Sequence, residues 1–174
     1  WAINILAPSN LSLYWIGGTG NWGDGSHWST SSGGAAYGCI PTLTDNVIFD
    51  ANSFSSTGQT VTVNVLNAYC KSMIWTGALN SPTYTNSNTV TISESLTLIS
   101  GMTYNGGNTK FTSTTTGNTI TSAGKSIGVI TFDGIGGSWG LQDDTLLGNL
   151  TLTNGSFSTN NHNLTFSAYG QLSS

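Results

Sequence analysis

The chain contains few charged residues. Only 6% of its 174 residues are charged, against roughly 25% in an ordinary soluble domain. Its basic residues are three lysines (Lys71, Lys110 and Lys125), and arginine, the residue best suited to phosphate and base-edge contacts, is absent. With a net charge of -4, the chain lacks the basic surface that nucleic-acid binding requires. We therefore expect no nucleic-acid partner.

Long apolar runs and helical patterns are also missing. No run approaches the roughly 18 residues that a membrane-spanning helix needs, so we expect no membrane span. No window places apolar residues at positions i, i+3, i+4 and i+7, the pattern of an amphipathic helix. No secretory signal peptide is visible, and the sequence begins at Trp1 instead of methionine. We therefore expect the chain to have been processed or excised from a longer protein.

Small polar residues dominate what is present. Thr (27), Ser (24), Gly (23) and Asn (18) supply more than half of the chain. Such a composition is typical of a flexible linker, but 37% of the residues are hydrophobic, including six Trp, six Tyr and six Phe. Because these residues stand in short regular runs, the chain can bury enough apolar surface to offset the entropy of ordering it. We expect it to fold.

A triplet of an apolar residue, a threonine and a second apolar residue recurs six times. It occupies residues 61–63, 90–92, 96–98, 130–132, 150–152 and 164–166. Alternation of this kind buries one face of a strand and leaves the threonines outside. The triplets therefore predict an all-β protein with their apolar residues in the core.

The spacing of comparable apolar positions distinguishes two all-β architectures. Ile92, Phe111, Ile130 and Leu150 follow one another at intervals of 19, 19 and 20 residues. A period near 20 is typical of a right-handed parallel β-helix, whereas a β-sandwich has turns about every 8–12 residues without a longer period. We predict β-helix coils from about Val61 to the end of the sequence, with the β-sandwich as the alternative. Because an open last coil exposes strand edges, we also expect coils beyond residue 174.

The first 60 residues differ from the rest and are predicted to form an N-terminal cap. Trp15, Trp22 and Trp28 are separated by 7 and 6 residues, with glycines between them. Three buried indoles would cover the open apolar end of the first coil, and glycine permits the tight turns that bring them together. The predicted division is therefore a cap segment, residues 1–60, and β-helix coils, residues 61–174.

A motif in and after this segment resembles a known family. It comprises Tyr14-Trp15-Ile16-Gly17-Gly18-Thr19-Gly20-Asn21-Trp22, His27-Trp28-Ser29, Asp45-Asn46-Val47-Ile48-Phe49-Asp50 and Cys70-Lys71-Ser72-Met73-Ile74-Trp75-Thr76-Gly77. It is similar to a module common in very large extracellular proteins of Bacteroidota, which resemble gliding-type adhesins and other cargo of type 9 secretion. The resemblance implies secretion, display at the cell surface, and adhesion or filament building without catalytic residues. It also implies partners, namely flanking repeats of the same protein, the secretion and surface-attachment machinery, and glycans or other surfaces.

Two cysteines and three aspartates are the candidate sites beside the aromatic cap. In a secreted protein the pair Cys39 and Cys70 predicts a disulfide that ties the cap to the first coils, and the alternative is two buried free thiols. Asp24, Asp45 and Asp50, which we call the three N-terminal aspartates, carry oxygen ligands suited to calcium. The alternative is that they cap turns through hydrogen bonds to nearby backbone amides. No other cofactor is expected.

Catalysis has little support in the sequence. A polysaccharide-degrading β-helix needs clustered carboxylates, but the seven acids are scattered, and the adjacent Asp143 and Asp144 are predicted to lie in a turn. Pairs of threonines one residue apart occur at Thr60/Thr62, Thr89/Thr91, Thr119/Thr121 and Thr151/Thr153. Stacked on one face, they would form the flat array of an ice-binding solenoid. A glycan-binding or ice-binding solenoid therefore stands as the alternative to an adhesive structural repeat.

Overall fold

The chain forms stacked, mostly parallel β-coils. The computed structural model describes residues 10–167 and 171–173. Strands make up 48% of the structure and helix 2%, and the strands form a parallel β-solenoid of about 5 turns. The helical residues belong to one 3-10 turn, Gly25–His27.

The strands are short, except for two near the end of the chain that bend through several faces. In chain order they are β1 (Ser12–Trp15), β2 (Gly20–Asn21), β3 (Trp28–Ser29), β4 (Asn46–Ile48), β5 (Thr60–Val63), β6 (Asn67–Cys70), β7 (Met73–Ile74), β8 (Thr83–Asn86), β9 (Thr89–Ile92), β10 (Leu96–Thr97), β11 (Thr103–Asn105), β12 (Asn108–Phe111), β13 (Asn118–Thr121), β14 (Ser126–Leu141), β15 (Thr145–Ser158), β16 (Leu164–Phe166) and β17 (Leu172–Ser173).

Each coil passes through three positions, which we call faces 1, 2 and 3. Face 1 contains β1, β4, β7, β10, β13 and the ends of β14 and β15. Face 2 contains β2, β5, β8 and β11, then the starts of β14 and β15, and β16. Face 3 contains β6, β9, β12, the middles of β14 and β15, and β17.

Strand direction decides between the two predicted architectures. Within the described part of the chain, every strand pair is parallel except β1 with β3. A β-sandwich is built from antiparallel pairs. The predicted parallel β-helix is therefore confirmed, and the β-sandwich alternative is wrong.

Inward side chains stack in columns from coil to coil. The face 1 column consists of Leu13, Val47, Met73, Leu96, Ile120 and Leu141, and each is at most 1% exposed. The apolar residues of the triplets at 61–63, 90–92, 96–98 and 130–132 are also buried, as their alternation predicted. The core is therefore a set of parallel columns, because each strand sends alternate side chains into the space between the three faces.

The predicted period of the coils holds for two of its three steps. Ile92 pairs with Phe111, and Ile130 pairs with Leu150, as the spacing predicted. Phe111, however, pairs with Phe132 and not with Ile130. That coil is two residues longer than predicted, and a shift of two residues keeps the same side chains inside.

The sheets run across the boundary predicted between residues 60 and 61. β2 pairs with β5, and β4 pairs with β7, so strands on both sides of that position share faces. Parallel pairing already begins at β1, where Leu13 and Trp15 alternate inward. The N-terminal segment departs from the coil pattern at β3, which turns back along β1, and at residues 30–45, which contain no strand.

Candidate functional site

The three cap tryptophans form one buried cluster with Phe49. Trp15, Trp22 and Trp28 are each 0% exposed. The Trp28 ring meets Trp15 and Trp22 edge-on, with centroids 5.0 Å and 4.9 Å apart, and it lies 6.1 Å from the Phe49 ring. Because none of the three indoles faces solvent, the cluster offers no ring on which a sugar could stack. Its contacts are those of a hydrophobic core.

Two glycines of the aromatic motif place these indoles. Gly18 has a φ of +74°, a left-handed conformation that glycine adopts at little cost, and its carbonyl accepts the Trp15 indole N–H at 2.7 Å. A Cβ atom at Gly20 would collide with the imidazole of His27, which stacks on Trp15 with centroids 4.7 Å apart. The mixture of glycine and aromatic residues in the motif therefore follows from close packing around Trp15.

The predicted disulfide is wrong, because both cysteines are free. Cys70 is the last residue of β6, and its side chain is fully buried in the core, where burial raises the pKa of its thiol. Cys39 is exposed in the strandless segment before β4. One thiol points into the solenoid and the other lies at the surface, so the two do not meet.

The three N-terminal aspartates serve separate turns. Asp24 accepts hydrogen bonds from the Ser26 hydroxyl at 2.7 Å and the Ser26 amide at 2.9 Å, and these bonds lower its pKa. Asp45 accepts the Leu11 amide at 3.1 Å, and Asp50 accepts an amide two residues further along its own turn. Within the described residues, no three His, Cys, Asp or Glu side chains lie close enough together to hold a metal ion. The geometry therefore matches the turn-capping alternative.

Asp143 and Asp144 lie in the turn between face 1 and face 2, as predicted. Asp143 accepts the Ser122 amide of the preceding coil at 2.8 Å. Asp144 accepts the Asn163 amide of the following coil at 2.9 Å, and this bond lowers the pKa of Asp144. The two neighbouring carboxylates therefore point to different coils and tie three turns together. A pair of glycosidase acids would instead converge on one point.

The four predicted threonine pairs do not lie on one face. Thr60 and Thr62 are on face 2, Thr119 and Thr121 on face 1, and the other two pairs on or next to face 3. Face 2 nevertheless carries two short columns that the spacing did not reveal. They consist of Thr60, Thr83 and Thr103, and of Thr62, Thr85 and Asn105. The neutral array is thus limited to three neighbouring strands.

A polar groove of about 390 Å³ opens beside the start of β13 and the ends of β14 and β15. Its lining includes three side-chain amides and several hydroxyls but no charged group; among them are Asn118, Ser138, Gln142, Ser156 and Asn160. Phe157 supplies an aromatic wall and is partly exposed. Gly140 lies between Trp139 and Leu141, and a Cβ atom there would collide with the Asn160 amide. Glycine at this position therefore leaves room for the Asn160 side chain, which forms part of the groove lining.

Hydrogen bonds within the protein engage most of the polar groups around the groove. The Asn118 side-chain amide donates to the Thr115 carbonyl at 2.7 Å, and the Gln142 and Asn160 amides each donate to the Leu141 carbonyl at 3.1 Å. The N–H groups are thus held by the main chain. The Asn160 side-chain oxygen accepts the Ser158 hydroxyl at 2.8 Å, and the Ser138 hydroxyl accepts the Gly117 amide at 2.9 Å. In the described part of the chain, the side-chain carbonyl oxygen of Gln142 has no hydrogen-bond partner, so it is available to a ligand that brings donors.

A second groove, of about 470 Å³, is mainly apolar. It is formed by Ile40, Pro41, Leu43, two threonines and Tyr69, where the strandless segment runs beside β6. Ile40, Leu43 and Tyr69 are 41%, 40% and 38% exposed. Small-ligand sites combine apolar walls with a few polar groups that fix orientation, and here the polar side-chain groups are three hydroxyls, those of the two threonines and of Tyr69, with no amide among them. The polar groove is therefore the better candidate site.

Sequence reasoning missed the polar groove. Its residues come from three coils, and none belongs to a motif with catalytic or metal-binding spacing. The sequence contained one local signal of the groove, which is a glycine within a strand. Gly140 lies between the buried residues Trp139 and Leu141, at the position where alternation predicts an outward side chain. A glycine there marks a strand site where another group approaches the backbone closely.

Comparisons with known proteins add no relative. No protein-family model matches the chain, and no curated protein and no solved structure matches it either. In the residues that the structure describes, no helix is both long enough and apolar enough to cross a membrane.

Proposed function

We propose that the chain is a non-enzymatic structural and adhesive segment of a large, secreted cell-surface protein, similar to the repeat regions of Bacteroidota adhesins. The observation that carries the proposal is the uninterrupted stack of coils, with apolar columns inside and neutral Thr, Ser and Asn side chains outside. With about 5 turns at a strand spacing of about 4.8 Å, the rod is about 24 Å long. Each added coil lengthens such a rod and enlarges its surface.

The few charged groups support a structural role. The Lys110 ammonium lies 2.7 Å from the Asp133 carboxylate of the next coil, and Asp133 accepts the Asn154 side-chain amide at 2.7 Å in the coil after that. These two contacts, the lysine first, lower the pKa of Asp133. A carboxylate held ionised between neighbouring coils is suited to joining them and poorly suited to donating a proton.

Flanking repeats of the same protein are the partners that we propose for this segment. The inward apolar residues of the last coils, including Leu152, Leu164 and Phe166, are only partly buried. Their counterparts in the face 1 column are at most 1% exposed. An additional coil stacked on this end would cover them and pair the strand edges. The secretion and surface-attachment machinery complete the proposed set of partners.

Surface display is the decisive test of this function. Antibodies raised against the purified chain are expected to label intact cells of the producing organism. Deleting the coding segment in frame should reduce attachment of those cells to surfaces. Antibodies against a cytoplasmic protein of the same cells, which should label only permeabilised cells, are the control. Labelling by the chain's antibodies only after permeabilisation would reject secretion and display.

Ice binding is a second candidate, favoured by the two columns on face 2. The columns place neutral side chains about 4.8 Å apart along the rod and about 6.6 Å apart along the strand, in a regular lattice. If this face binds ice, the purified chain will show thermal hysteresis. Thr85→Tyr at the centre of the columns should abolish the effect, and Thr131→Tyr on face 3 should leave it. Absence of hysteresis in the unmodified chain would reject this candidate.

A further inference from the structure

We propose that the polar groove at the start of β13 and the ends of β14 and β15 binds a neutral saccharide. The inference rests on the proposed adhesive function and names the ligand class that such a surface would hold. The groove's volume of about 390 Å³ falls in the range of small-ligand sites, about 300–1,000 Å³. It lies among the closely paired coils, where parallel strands fix the positions of its walls.

The charge and hydrogen-bond balance of the groove select the ligand. No lysine, aspartate or glutamate lines it, so an anionic or cationic ligand would lose its hydration without gaining a partner. The side-chain N–H groups of Gln142 and Asn160 are engaged by the Leu141 carbonyl. Asn160 Oδ1 and the Ser138 and Ser158 hydroxyls are bonded within the protein, so the polar groups left for a ligand are the side-chain carbonyl oxygen of Gln142 and the Ser156 hydroxyl. These uncharged groups suit a neutral ligand that carries O–H donors.

The aromatic wall complements the apolar side of such a ligand. Phe157 is partly exposed, and one of its faces stacks on Phe132 with ring centroids 5.1 Å apart. Phe132 in turn packs on Trp139 at 5.0 Å, so the wall is held rigid from inside. A pyranose ring presents C–H groups on one face and hydroxyls around its edge. It would therefore place the C–H face against Phe157 and its hydroxyls toward Gln142 and Ser156.

Isothermal titration with defined oligosaccharides tests the assignment. The probes are cellohexaose, xylohexaose and mannohexaose, with an oligogalacturonate of similar length as the charged comparison. We expect measurable binding of at least one neutral probe and none of the oligogalacturonate. Binding of no neutral probe at millimolar concentration, or preferential binding of the charged one, would overturn the proposal.

Two variants and a matched control locate the binding. Gly140→Ala displaces the Asn160 amide, which lines the groove, and Gln142→Ala removes an exposed acceptor; each should weaken binding about tenfold or more. Gly101→Ala is the control, because a Cβ atom there meets nothing within 4 Å, and it should bind like the unmodified chain. If Gly140→Ala lowers the melting temperature, its weaker binding could follow from unfolding, and the Gln142→Ala variant alone then tests the site. Unchanged binding by a folded Gln142→Ala variant would overturn the proposal.

The same set of experiments separates this inference from the adhesive function. Cells that display the segment and attach to surfaces, although the purified chain binds no neutral probe, would refute the saccharide groove and leave the adhesive role standing. Saccharide binding by a chain that never reaches the cell surface would support the saccharide groove and refute the adhesive function.

Discussion

Replacing Trp22 and Trp28 by phenylalanine should have clearly different costs, although the two indoles are neighbours. Both side chains are 0% exposed, and their rings meet edge-on at 4.9 Å. The Trp28 indole N–H donates to the Trp22 carbonyl at 2.9 Å. The Trp22 indole N–H is buried without a partner in the described part of the chain. Phenylalanine keeps an aromatic ring at each site and removes the N–H.

The magnitude follows from this difference in hydrogen bonding. Both variants lose part of an indole and leave a similar cavity, so their packing losses are comparable. Trp28→Phe also loses a buried hydrogen bond and strands a carbonyl, at about 1–3 kcal/mol. Trp22→Phe removes an N–H that already lacks a partner, which offsets part of its packing loss. We expect Trp28→Phe to destabilise the protein by about 1–3 kcal/mol more than Trp22→Phe, and Trp22→Ala to cost about 3–5 kcal/mol.

Urea unfolding followed by circular dichroism measures these free energies, with the slope checked for each variant. Equal costs for the two phenylalanine variants, or a larger cost for Trp22→Phe, would refute the hydrogen-bond argument. Trp22→Ala also tests the cap interpretation. A variant that unfolds like the parent and yet loses attachment to a glycan or surface would show that the tryptophans bind a ligand.

Three further predictions concern titratable groups. Iodoacetamide should modify exposed Cys39 in the folded protein and buried Cys70 only after unfolding; equal labelling would contradict their placement. Burial raises the pKa of Tyr84 well above its usual value, so its contribution to stability is complete below about pH 10 and is lost as the pH rises toward the folded-state pKa. Tyr84→Phe should therefore flatten the alkaline loss of stability seen by urea unfolding, and an unchanged pH profile would contradict this. Millimolar calcium should leave the melting temperature unchanged, because the three N-terminal aspartates are engaged in separate turns; a clear rise would indicate a shared calcium site.

Strand positions and inward side chains were predictable because alternation is a local property. In the triplet at 61–63, Val61 and Val63 are buried and Thr62 is partly exposed, as predicted. Thr91 departs from the rule and is only 9% exposed. It lies between Tyr69 and Lys110 in the outward column of face 3, and these two long side chains flank it. The alternating pattern predicts whether a side chain points inward or outward, whereas the neighbouring coils decide how much of an outward side chain reaches solvent.

The register and the cysteines were not predictable to the same degree. A coil of 19 residues and one of 21 bury the same alternating positions, so the sequence pattern could not distinguish Ile130 from Phe132 as the partner of Phe111. The disulfide was likewise predicted from the presence of two cysteines, and their number does not show where each side chain points. Cys70 follows the alternation of β6 into the core, but the exposed position of Cys39 depends on the path of a segment without strands.

The sequence alone determined that the fold is all-β, because its apolar residues alternate along short strands, and the period near 20 favoured the β-helix over the β-sandwich. The parallel pairing seen in the structure then decided between the two. The sequence also determined that Trp15, Trp22 and Trp28 would be brought together, since glycines permit the turns between them. Only the tertiary structure decided which threonines share a face, that the cysteines stay apart, and that Gln142, Ser156 and Phe157 line one groove. These relations join residues of different coils, and loop lengths set them. No local pattern records how one coil is placed on the next.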